Sequence, residues 1–184
     1  MQKMFKTKPK PGCLIAIIVI LAAIVGCVSY ANIKTDPLTF ASEAVRVGIP
    51  QGTTVIIDDY SEPSFPTGDG HSFTVFQIPP NKINEFRETL KNSFDWKPLP
   101  LPKELAENEN FLQPTFMSGG HGEIPISSAT GYYIFIDEQE EYNKEKNSQT
   151  YDIATPFYAR YSFNYRFGLF NDKDGKLYIW SIDT

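Results

Sequence analysis

Cysteine is nearly absent. The 184-residue chain has two, Cys13 and Cys27. Both fall in one apolar run, so residues 34–184 hold neither a disulfide framework nor a thiolate metal site. The folded part must be stabilised by a core, and roughly 150 residues can bury one without covalent staples. Histidine is equally scarce, with only His71 and His121. No His pair stands one helical turn apart, no Gly-x-Ser-x-Gly elbow is present, and no phosphate-cradling glycine loop opens a helix. Asn171 to Gly175 resembles a calcium loop only superficially. Phe170 stands where that loop needs an acid or amide, and Ser181 where it needs a glutamate, so a hairpin turn explains the stretch.

What is present begins with Cys13 to Val28, CLIAIIVILAAIVGCV, and no charge follows until Lys34. As a helix, Cys13 to Ala31 rises about 28 Å, close to the ~30 Å hydrocarbon layer of a membrane. Ten of its residues are Leu, Ile or Val, which favours insertion by about 3–6 kcal/mol before the small and polar residues are counted. Lys3, Lys6, Lys8 and Lys10 precede the run without an acid, so residues 1–12 are expected to stay in the cytoplasm and residues 32–184 to be exported. Beyond the run, 13 basic residues face 22 acids, a formal charge of −9. Nucleic acid, which needs a basic footprint, is excluded as a partner on this ground. Ile24-Val25-Gly26-Cys27 also suits a lipoprotein signal, in which Cys27 carries the lipid and no spanning helix survives.

Asp36-Pro37 reads as the start of a short helix that Gly48 ends. TTVIID (53–58) and HSFTVFQI (71–78) read as strands, with turn chemistry over 59–70. Ile83, Phe86, Leu90 and Phe94 share one helical face. The alternating Pro and Leu of residues 96–105 predict an extended strap on the surface, and residues 106–128 show only a weak pattern. Residues 131–137, GYYIFID, form a strand, and the charged stretch EQEEYNKEKNSQT reads as a solvated loop. From 161 to 169 aromatic and polar residues alternate, which predicts a half-buried strand with one wet face. In that scheme Tyr161, Phe163, Tyr165 and Phe167 meet Ile83, Phe86 and Leu90 in the core. NDKDG turns the chain into a last strand. The expected fold class is α+β: an N-terminal transmembrane helix, then one domain with an antiparallel sheet of about five strands and two or three helices.

Gly68-Asp69-Gly70, the stretch Trp96 to Leu101, Gly131-Tyr132-Tyr133 through Asp137, and the terminal Leu177-Tyr178 with Asp183-Thr184 resemble a family of small bacterial membrane-anchored or exported proteins. The likeness covers most of residues 68–184. That family carries no established activity, so it implies a bacterial, exported, single-domain protein and no chemistry.

Both histidines sit among glycines beside an acid, in Gly68-Asp69-Gly70-His71 and in Gly119-Gly120-His121-Gly122-Glu123. Asp69, His71, His121 and Glu123 would hold a zinc ion if the two segments meet in space. The expectation is a membrane-tethered extracytoplasmic domain that binds a protein or small molecule and needs no cofactor. The alternative is a metal-dependent hydrolase built on those four residues.

Overall fold

In the computed structural model, the residues described are Ile20, 37–61, 70–114, 122–162 and 164–184. The basic tail, Asp36, Asp69, His121, Phe163 and the apolar run apart from Ile20 lie outside them, Cys27 included. Among the described residues no helix is long and apolar enough to cross a membrane. The chain divides into two compact units, Met1–Phe40 and Ala41–Thr184.

The second unit is α+β. Helix α1 (Pro37–Ala44) leads into it, and strands β1 (Thr54–Ser61) and β2 (Gly70–Gln77) follow. Next come helix α2 (Ile83–Asn92), the two-residue strand β3 (Lys97–Pro98) and helix α3 (Lys103–Glu107). Strand β4 (Gly131–Asp137), helix α4 (Glu138–Lys146), and strands β5 (Asn164–Asn171) and β6 (Lys176–Asp183) complete it. The sheet has six strands in the order β1-β2-β6-β5-β4-β3, every pair antiparallel. The residues Asp172 to Gly175 turn β5 into β6, with Gly175 in the left-handed region at φ 68°.

Both faces of the sheet are covered, which departs from the expected wet face. Phe73, Val75, Tyr165, Phe167, Leu169, Tyr178 and Trp180 line one face. That face is closed without a long helix, by Leu101, Leu105, Leu112, Ile124, Ile126 and Phe157 from irregular chain and short turns. On the other face Phe86 of α2 packs edge-on against Phe170, ring centroids 5.1 Å apart. The proposed contact of Phe86 and Leu90 with the odd-numbered aromatics is therefore corrected: α2 lies across the sheet from Tyr165 and Phe167. Gly168 admits this second layer, because Val45, Trp96 and Ile134 crowd the space a Cβ would take. The Trp96 indole donates to the Val45 carbonyl at 2.9 Å.

Several boundaries move. Helix α2 ends at Asn92 and Ser93 turns extended, so Phe94 leaves the helical period and is 89% exposed. Helix α1 ends at Ala44, before Arg46 enters the left-handed region at φ 56°, rather than at Gly48. Arg46 pairs there with Glu141 and lies 3.7 Å from Asp95. Tyr161 precedes β5 and is fully exposed. The predicted surface strap contains β3 and α3 and buries Leu101 and Leu105. The predicted solvated loop at 138–150 is largely helix α4. Asp137 caps it by accepting from the Glu140 amide, and Asn147 ends it in the left-handed region.

Candidate functional site

A groove runs along the sheet end where β3, α3 and β4 meet. Its position follows from three local devices. Leu99 N–H donates to the Gly131 carbonyl at 2.9 Å, which holds the segment after β3 beside the start of β4. Gly131 has φ 128°, and a Cβ there would collide with the Phe170 carbonyl, so this corner needs glycine. Gln113 grips the opposite wall: its amide donates to the Ile124 carbonyl at 2.9 Å and accepts from the Ile124 N–H at 2.8 Å. The amide thus acts like a strand neighbour to Ile124, and the turn after it closes with Ala129 N–H on the Pro125 carbonyl at 2.9 Å.

The groove is graded in polarity. One end, about 370 Å³, is walled by Leu99, Leu101, Ala106, Ile126 and Ala129. The adjoining end, about 220 Å³, is lined by Glu109, Gln113, Glu123, Ser127 and Ser128. Glu109, Ile126 and Ser127 belong to both. Glu109 therefore stands where the apolar trough meets the polar end, and Glu123 lies within the polar end. The Lys173 ammonium donates to the Ser128 carbonyl at 3.2 Å on this side of the groove. A larger hollow of about 690 Å³ lies at residues 143–154. Two of its polar side chains are committed to the loop itself: Asn143 donates to the Tyr151 carbonyl, and Asp152 accepts from Ala154, Thr155 and the Thr155 hydroxyl.

Of the four expected site residues, two are described. Glu123 is exposed and lines the acidic end of the groove. His71 lies in β2, as the strand expected over 71–78 requires, half-buried with its ring 5.6 Å from that of Trp180. Asp69 and His121 lie outside the described residues. Gly122 is close to Phe73, which a Cβ on that glycine would approach to 2.9 Å, and Phe73 lies two residues from His71 on the same face of β2. Among the described residues no group of three or more His, Cys, Asp or Glu side chains is placed to hold a metal ion. Glu109 and Gln113 escaped the sequence reading because residues 106–128 have no sustained period. The one available signal was Ile124-Pro125-Ile126, two buried residues flanking a proline.

No family model, curated protein or solved structure matches this chain.

Proposed function

We propose that the chain is a membrane-tethered, extracytoplasmic binding domain whose ligand enters the groove between the Leu99–Leu101 segment and residues 123–131. One observation carries the reading: an apolar trough that ends at Glu109, with Glu123 in the polar end beyond it. Such a site suits a ligand with an apolar body and a cationic end. Apolar walls supply area removed from water, and the two carboxylates select the charge and steer its approach in a net acidic domain. The tether rests on the run Cys13 to Ala31 and the four lysines before it. The lipid-bearing Cys27 is the other form of attachment, and intact mass of the membrane-extracted protein separates a full-length chain from one that begins at an acylated Cys27.

The groove is tested with the full-length protein in phosphatidylcholine nanodiscs and a capped leucyl-lysine amide as probe, with the leucyl-glutamate amide as control. The lysine compound is expected to bind and the glutamate compound to fail. Glu109→Gln with Glu123→Gln should weaken binding, and Ala106→Trp, which fills the trough, should abolish it. Binding that ignores all three substitutions would overturn the reading.

A zinc-dependent hydrolase is the second reading, favoured by the approach of Gly122 to Phe73 beside His71. It requires zinc affinity that falls steeply between pH 7.5 and 5.5, because protonated imidazole cannot ligate. Equal weak binding at both pH values, or unchanged binding in His71→Ala with His121→Ala, removes it.

A further inference from the structure

The two edges of the sheet are built differently. On one side the sheet stops at β3, two residues long with Pro98 as one of them, so little backbone is left to pair. On the other side it stops at β1, eight residues long, with a strand on one flank only among the described residues. Near the start of β1, Val55 is 40% and Ile56 is 49% exposed, and Asp58 is exposed further along. The register with β2 slips once, between Val55 and Ile57, and is regular from Ile57 to Ser61. A bulge confined to one end leaves five residues of straight edge, whose outward N–H and C=O groups follow from the antiparallel ladder.

We propose that the outer edge of β1 receives an extended peptide strand that carries two adjacent basic residues and an adjoining aliphatic pair. The occupant follows from the charges on the edge. Antiparallel pairing with a second copy centred near Asp58 sets Asp58 and Asp59 against the same acids, which destabilises the pair. Pairing centred on Ile56 spares the acids but meets the bulge on both strands. A strand with Lys or Arg facing Asp58 and Asp59, and aliphatic side chains near Val55 and Ile56, satisfies backbone and side chains together. This is strand addition, in which main-chain bonds supply affinity and alternate side chains supply selectivity. The site is separate from the groove: β1 and β3 are opposite edges, five strand spacings or about 24 Å apart.

The test uses full-length protein in phosphatidylcholine nanodiscs and an acetylated seven-residue peptide with an adjacent lysine pair among valines. Binding is read by fluorescence anisotropy and located by amide hydrogen exchange. Protection is expected to rise at residues 54–61. A peptide with glutamate for lysine, and one N-methylated at alternate residues with its charge intact, should each bind at least about tenfold more weakly. Asp58→Lys with Asp59→Lys should lose a similar factor. Both positions are exposed or half-exposed, but Asp58 also accepts from the buried Thr74 hydroxyl at 3.3 Å, so an unaltered melting curve is required, and Asp59→Lys alone, which leaves that bond in place, should weaken binding in the same direction. Ala106→Trp in the groove should have no effect. Equal binding of the N-methylated peptide, protection elsewhere than β1, or indifference to the Asp58 and Asp59 changes would each overturn the proposal.

Discussion

Tyr165 shows how one side chain can join two layers. It is 1% exposed, its hydroxyl donates to the Phe111 carbonyl, and it accepts from the Trp180 indole at 3.3 Å. Tyr165→Phe keeps the ring and removes both bonds, so it should cost about 1–3 kcal/mol in denaturant unfolding. Burial also holds this phenol well above its ordinary value of 10.0. The native state therefore keeps a proton that the unfolded chain releases above pH 10, and stability falls as pH rises past that point. The Phe variant should flatten this alkaline slope without abolishing it, because burial also raises Tyr133 and Tyr178, and melting temperatures at pH 9 and 11 would reveal the difference. Gly168 is the opposite case, a residue whose function is to occupy no space. Gly168→Ala sets a methyl 2.7 Å from Ile134 and 3.1 Å from Val45, and should destabilise by about 1–3 kcal/mol through overpacking. A change below about 0.5 kcal/mol would mean that the layer above the sheet yields freely.

Among the elements, legibility followed the apolar pattern. β2, β4 and β6 were readable because their side chains are apolar in runs, and α2 because Ile83, Phe86 and Leu90 repeat at helical spacing. α4 was not, since its buried residues are Gln139 and Asn143, which carry no hydrophobic period. Its signals were electrostatic: Asp137 before Glu138, Glu140 and Glu141, then Lys144 and Lys146 in the last turn. The wet face assigned to β5 failed at Gly168, with Phe170 buried just beyond it, because a polar start, Asn164 and Arg166, was extended along the strand. The groove was the least legible part, because its walls come from four segments and its clamp, Gln113, acts through geometry alone. α4 also yields a prediction. Arg160 donates to Asp137 at 2.7 Å, their side chains 10% and 11% exposed, and to Gln139 at 3.2 Å. Arg160→Ala leaves a nearly buried carboxylate without its cation and should cost roughly 3 kcal/mol. Amide exchange should accelerate over Glu138–Lys146 before the rest of the sheet, and uniform acceleration would refute a local role.

For the whole molecule, the unit from Ala41 to Thr184 has its own two-sided core. A fragment beginning at Lys34 is therefore expected to be soluble, monomeric and cooperative in thermal unfolding. Sedimentation and coincident near- and far-ultraviolet melts check this, and an aggregated or non-cooperative fragment would refute it. The strand order adds one more consequence. β6 joins two otherwise separate pieces, the β1-β2 hairpin and the β3-β4-β5 meander. A chain emerging N-terminus first thus displays two half-sheets with raw inner edges until Lys176–Asp183 arrives. Folding of the sheet is vectorially blocked: the inner edges of β2 and β5 stay open to mispairing until the keystone strand has followed.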